Sequence, residues 1–269
     1  MPNTPTFHIR GLIEGSSDIQ FIVDAFDASI PQLASIGSGG QWGSEPFSER
    51  SNIGEKIKIF EQAQRYQLTG EGDPIRIFVI EAEIPSSAVD ELPASVRVRA
   101  DDTGKNFLAV GSVMLSEGMY PPYLRPYFDK DTIKKELDGT RDYIYLEALI
   151  TDYRTGPWRK GAGAALIEHS RQFCHERGKP ILYVDSYGGN DRKLVKYYEA
   201  QGFLVVDDFE PLKPDGSKWP GVFYQLGISM NILALFSSLE RRLVPGGGSP
   251  IRISASQRNE VKAGSSSPK

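Results

Sequence analysis

The stretch 141–209 carries groups that could do chemistry together. Gly161-Ala162-Gly163 opens a helix directly after a polar loop. Glycines at such a junction let backbone N–H groups approach a phosphate closely, and the positive end of the helix dipole adds to the attraction. Two glycines in a first turn each cost about 1 kcal/mol of helix propensity relative to alanine, so their presence calls for a reason. Close approach to a pyrophosphate is one reason, and a plain loop-to-helix junction is another. Glu147 lies inside the apolar run Tyr143–Ile150, where a carboxylate is costly unless paired or solvated. It either faces a cleft, where it can take a proton from a nucleophile directly or through water, or it forms an ordinary salt bridge. Tyr198, on the following helix, can supply a proton at the other end of a bound ligand or pack beside Leu194 and Val195.

Those groups need a scaffold of alternating strands and helices. Phe7–Ile13 reads as a strand, followed by a helix over Asp18–Ser29, capped by Ser16 or Ser17 and ended with the help of Pro31. Residues 36–43 form a glycine-rich loop carrying Trp42, and Asn52–Tyr66 a second helix. Ile75–Ile84 and Phe107–Leu115 are strands, and the alternating residues 94–100 can join their pairing. An aromatic, proline-rich loop from Met119 to Phe128 leads into a short charged helix near Asp131–Leu137. The core strand Tyr143–Ile150 places Tyr143, Tyr145, Glu147 and Leu149 on one face by strict alternation, with Ile144, Leu146, Ala148 and Ile150 on the other. Then come a helix over Gly161–Arg177, a strand Ile181–Asp185, a helix Asp191–Gln201 and strands Phe203–Asp207 and Gly221–Leu226. Asn190 or Asp191 is placed to cap the last of these helices. Met230–Leu243 is a further helix candidate.

The glycine loop with its helix, and the segment Tyr197-Tyr198-Glu199-Ala200-Gln201-Gly202-Phe203, together resemble the acyl-CoA core of the GCN5-related N-acetyltransferase (GNAT) superfamily. The family's pyrophosphate signature is Arg or Gln, two residues, Gly, one residue, then Gly or Ala. Trp158-Arg159-Lys160-Gly161-Ala162-Gly163 fits both glycine positions and puts Trp158 where Arg or Gln is usual. Tyr198-Glu199-x-x-Gly202-Phe203 matches the family's Tyr-Glu-x-x-Gly-Phe ending. The resemblance implies an α/β, GNAT-like acyl-CoA N-acyltransferase fold, a central mixed and mostly antiparallel sheet flanked by helices. It implies that acetyl-CoA is the co-substrate, with its pyrophosphate on the N–H groups of Arg159, Lys160, Gly161, Ala162, Gly163 and Ala164. Backbone of Leu149 and Ile150 pairs with the pantetheine arm, which Asn190 is placed to contact. Tyr198 protonates the departing thiolate, and Glu147 stands where the family often places a carboxylate.

The implied reaction is transfer of an acetyl group to a primary amine of a small molecule, by direct attack on the thioester. A protein N-terminus or lysine is the alternative acceptor, and a non-catalytic acyl-CoA-binding or sensing module the alternative class. The acceptor side falls on residues 14–66 and 117–140, where Trp42 and Tyr123 are the candidate contacts and Tyr120, Tyr127 and Phe128 add aromatic surface. Aromatic rings in a net acidic chain suit a small amine, cationic or planar.

Composition narrows the rest. In 269 residues, 39% hydrophobic and 25% charged, there is ample material for a globular core. A net charge of −4 without a basic block argues against nucleic acid as the main partner. The one cysteine, Cys174, excludes an intrachain disulfide and reads as a small apolar helix residue. His169 and His175, six apart, do not share a helix face as ligands would, so no metal is expected. The N-terminus has no secretory core, and the longest apolar-leaning run falls short of the ~20 residues that cross a bilayer. The expectation is a cytoplasmic protein with one domain over 1–244 and a flexible Gly/Ser/Pro-rich tail over 245–269. Its oligomeric state is not legible.

Overall fold

The described residues form one eight-stranded sheet. Its strands are β1 (Phe7–Gly11), β2 (Ile75–Ile84), β3 (Val98–Ala100), β4 (Asn106–Glu117), β5 (Tyr143–Thr151), β6 (Ile181–Tyr187), β7 (Leu204–Phe209) and β8 (Gly221–Gly227). The structure, a computed structural model, describes residues 5–127, 133, 137, 141–213 and 216–229. The helix candidates Asp131–Leu137 (apart from Ile133 and Leu137, both buried) and Met230–Leu243 lie outside the described residues, as does the tail 245–269.

The strand order is β1-β2-β4-β5-β6-β8-β7, and all pairs are antiparallel except β5–β6. The expected mixed, mostly antiparallel sheet is therefore present. β3 pairs with the Asn106–Leu108 end of β4, and β5 with Gly111–Glu117. The alternating segment 94–100 thus contributes a short strand. A parallel pair needs a crossover, and helix α3 (Ala162–Glu176) supplies it between β5 and β6.

Helices cover both faces. Helices α1 (Asp18–Ser35) and α2 (Ile53–Thr69) bury Phe21, Ile22, Phe26 and Phe60 against Ile77, Val79 and Ile150. On the opposite face α3 and α4 (Gly189–Ala200) bury Leu166, Ile167, Val195 and Tyr198 against Leu108, Val113, Leu146 and Val184. The buried face of α3 carries Ala162, Leu166, Ile167, Ser170, Phe173 and Cys174. A third cluster, including Leu124, Tyr143, Tyr145, Tyr183 and Phe223, closes the lower part of the sheet.

Two expectations about α1 change. Pro31 does not end it; the helix continues to Ser35 with Pro31 inside. A proline removes one backbone bond and crowds the preceding turn, but Ile30 and Leu33 on either side of it are buried, and their packing carries the helix through. Ser17 holds the N-cap position without a side-chain bond, while Ser16 Oγ accepts from the Asp18 N–H at 3.2 Å.

An enclosed ion network ties β1, α1, β2 and β3 together. Glu81, 1% exposed, accepts from Arg10 Nε and Nη2 (2.9 and 2.8 Å) and from Arg99 Nε and Nη2 (2.9 and 2.5 Å). Arg10 also bonds both oxygens of Asp18 at 2.8 and 3.0 Å. Removing one partner of a buried pair strands the other charge. Glu81→Ala is therefore expected to lower unfolding free energy by about 3–5 kcal/mol, read from urea denaturation; a loss under about 1 kcal/mol, the range of a surface pair, would contradict it.

Candidate active site

The sheet splits where β5 and β6 part. Their parallel ladder runs only from Tyr143–Ile181 to Leu146–Val184. β5 then continues through residues 147–151 and β6 through 185–187 with no pairing between them. The cause lies in β5. Leu146 opposes Leu115 and Ala148 opposes Met114, so Glu147 is the extra residue of a β-bulge. A bulge bends its strand and steepens the local twist, which turns the end of β5 away from β6. Every second N–H and C=O of residues 147–151 is left facing the gap, that of Leu149 among them. The register sets the neighbouring Ile150 in a hydrogen-bonded pair with Ser112, so its groups face β4 and the expected pairing of Ile150 with a ligand is ruled out.

The bulge also corrects the predicted faces of β5. Tyr143 and Tyr145 join the lower cluster, and Ile144 and Leu146 the α3/α4 face. Beyond Glu147 the phase reverses: Leu149 packs on the α3/α4 side, and Ala148 and Ile150 on the α1/α2 side. Strict alternation holds only while each residue has one partner.

Glu147 accepts a hydrogen bond from Ser116 Oγ at 2.7 Å. Burial pushes its carboxyl up to about 7, and the charge of Asp185 adds to the rise; Ser116 and the more distant Lys56 oppose it. A carboxylate at this value is poised between accepting and holding a proton near neutral pH. Asp185, on β6 across the gap, accepts from Tyr123 Oη at 2.7 Å and from Tyr145 Oη. Burial raises Asp185 as well, against those two hydrogen bonds. Tyr123 remains 46% exposed, so this corner is reachable from outside. Asp185, Ser116 and Tyr145 were not singled out in the sequence. The signal for Asp185 was the same as for Glu147, a lone carboxylate in an apolar run, here Ile181–Tyr187.

On the α3/α4 side the gap meets the start of α3. Gly161 precedes the helix with φ +92°, a left-handed conformation that favours glycine. The first main-chain bond of the turn is from Ala165 N–H to Gly161 O (3.0 Å), so the amides of Ala162, Gly163 and Ala164 precede it. The guanidinium of Arg159 lies 3.9 Å from the centre of the Tyr153 ring, and Nη1 is 3.4 Å from Thr151 Oγ1; Lys160 is exposed. Trp158 packs against the α3-side core, so no side-chain charge stands at that place of the signature.

Tyr198 is buried, its ring 5.4 Å from both Phe203 and Tyr224. Burial holds its phenol well above the ordinary tyrosine value, with Tyr197, Tyr224 and Asp185 contributing. It is a group that keeps its proton until a stronger base forms beside it. Asn190 does not cap α4: Gly188 holds that position without a side-chain bond. Its amide instead donates to Ile36 O (2.9 Å) and Ser38 Oγ (2.6 Å), and Asn190, Asp191 and Arg192 form a left-handed turn with φ of 51, 54 and 56°. The loop after α1 is thereby tied to the start of α4, and Asp191, inside that turn, is not the cap either. Trp42 packs, partly buried, against the α1/α2 core, edge-on to Phe26 at 5.4 Å, and its indole N–H has no partner among the described residues.

Cys174 is fully buried and its thiol is pushed up to about 12 by burial. Such a thiol is no nucleophile. His169 packs against Phe78 at 4.4 Å, and burial lowers its affinity for a proton. Among the described residues no group of His, Cys, Asp and Glu could hold a metal ion, and no helix is long and apolar enough to cross a membrane.

No family model matches the chain, and no curated protein matches it. Solved structures do. One is the spermidine N-acetyltransferase from Vibrio cholerae in complex with CoA and spermine, 16% identical, covering 82% of this chain and 95% of that one at a TM-score of 0.46. Another is the ribosomal-protein-S18-alanine N-acetyltransferase from Escherichia coli, 14% identical over 84% and 96% of the two chains, at 0.44. A GNAT-family protein from Desulfovibrio desulfuricans is 11% identical over 83% and 100%, at 0.48. Each is a similarity of fold.

Proposed function

We propose that the protein is an acetyl-CoA-dependent N-acetyltransferase acting on a primary amine of a small molecule. The observation that carries this reading is the unpaired gap between β5 and β6, with Glu147 on its rim and the amides of α3 at its far end. In this reading the pantetheine arm hydrogen-bonds the free edge of β5 at Leu149. The diphosphate sits on the amides of Ala162, Gly163 and Ala164, where the helix dipole favours an anion.

The amine approaches from the side of Tyr123 and Glu147. Its nitrogen forms a bond to the thioester carbonyl carbon while Glu147 takes the amine proton, directly or through one water. The tetrahedral intermediate collapses by breaking the C–S bond, and the sulfur leaves with the proton of Tyr198. A buried, inert Cys174 supports direct attack over an acyl-cysteine intermediate. Trp158 at the Arg/Gln place of the signature favours a second reading, an acyl-CoA-binding module without turnover.

The test is release of CoA thiol from acetyl-CoA in the presence of small amines, peptide N-termini and lysine peptides. Turnover confined to small amines is the expected result. Turnover confined to peptides would replace the acceptor class. Tight acetyl-CoA binding without turnover of any amine would replace the enzyme by the sensing module.

A further inference from the structure

Tyr197, the neighbour of Tyr198, stands differently from it. The two side chains leave α4 about 100° apart, and where Tyr198 is buried, Tyr197 is 37% exposed. Its hydroxyl makes no hydrogen bond to the described residues. It is directed at the first turn of α3: a Cβ built on Gly163 would lie 2.9 Å from Tyr197 Oη and 3.9 Å from Leu149 Cδ2. Gly163 is thus small because a phenol from the next helix occupies the space above it. Unlike Gly161, it does not have a left-handed φ that would explain its identity. The result is an O–H donor placed beside the amides of Ala162, Gly163 and Ala164, all without an intrahelical partner.

We propose that Tyr197 is a co-substrate-binding residue, its hydroxyl donating to a phosphate oxygen of the CoA diphosphate held on the α3 amides. This rests on the acetyl-CoA reading above and deepens it, giving Tyr197 and Tyr198 separate tasks at the two ends of one ligand. Burial raises the Tyr197 phenol, so it remains a donor throughout the neutral range. Trp158 leaves the signature without its usual donor, and Tyr197 supplies one from another helix. A neutral donor facing an oxyanion is stronger than a neutral pair.

The experiment compares Kd for two ligands, acetyl-CoA and S-acetyl-pantetheine, which carries the same thioester without the diphosphate. Tyr197→Phe is expected to weaken acetyl-CoA about ten-fold, the range of one hydrogen bond to a charged group, and to leave S-acetyl-pantetheine unchanged. Its thermal midpoint should stay with the wild type, because the ring and its packing on Tyr198 are kept. Gly163→Ala should weaken acetyl-CoA in the same direction by displacing the phenol, and add little in a Tyr197→Phe background, where the hydroxyl is already gone. An unchanged Kd for acetyl-CoA in Tyr197→Phe, or an equal loss for both ligands, would overturn the inference alone. Wild-type protein that binds neither ligand would overturn the acetyl-CoA reading beneath it.

Discussion

Glu147→Gln is expected to lower kcat by about 10²–10⁴ at pH 8 with little change in the KM for acetyl-CoA, as loss of a general base does. Glutamine keeps the shape and an acceptor for Ser116 but cannot take a proton. Its carboxyl, raised to about 7, is protonated and unable to act below that pH. The wild-type rate should therefore climb through pH 7 and level off above it, and the climb should vanish in the variant. The acceptor for this experiment should be a hydrazide, whose own nitrogen is neutral throughout and contributes no ionisation. A persisting climb in Glu147→Gln would show that another group is the base.

The same substitution has a stability signature with a defined sign. The folded-state value of Glu147 lies above the ordinary carboxylate value of 4.5, so the folded protein binds that proton more tightly than the unfolded chain. This contribution is fully present below the ordinary value and is lost as pH rises through about 7. The stability of Glu147→Gln relative to wild type should accordingly widen with pH, by on the order of 1–3 kcal/mol between pH 4 and pH 8. Thermal midpoints at the two pH values measure it. A gap that does not widen would mean that Glu147 is solvated rather than enclosed.

Tyr198→Phe is expected to reduce kcat by about 10²-fold, through the departing thiolate. The phenol keeps its proton over the working range, so the effect should be independent of pH between 6 and 9. A structural role can be told apart from an acid role by changing the leaving group. An acetyl thioester of an acidic aryl thiol needs no proton to depart, and with it the deficit should shrink. If the ring only packs against Phe203 and Tyr224, phenylalanine replaces it well and kcat stays within a few-fold for both thioesters. The two residues stand apart: Glu147 beside Ser116, Tyr198 in the α3/α4 core.

Much of the scaffold was readable because it is local. The apolar run Ile75–Ile84 is β2 with the same bounds, and the helix expected over Gly161–Arg177 is α3 within one residue at each end. Gly161 and Gly163 lie at the start of α3, and the Tyr198–Phe203 segment joins α4 to β7. Local rules failed where a second element overrode them. Pro31 sits inside α1 because buried neighbours on both sides hold the turn. Asn190 left its capping place because the carbonyl of Ile36, far away in sequence, took its amide. Alternation puts Leu149 on the wrong face because nothing in the run Tyr143–Ile150 tells that one of its residues lacks a partner on β4.

By itself the sequence determined most of the helices and strands among the described residues and the glycine-opened start of α3, since propensity, periodicity and turn chemistry act over a few residues. Only the tertiary structure decided that β5 and β6 separate beyond Leu146, that Asp185 faces Tyr123 and Tyr145, and that Tyr197 rather than a side chain at position 163 covers the start of α3. Those facts depend on register between strands and on helix-to-helix contact. A single bulged residue changes the first, and the hydroxyl reaching across from α4 creates the second.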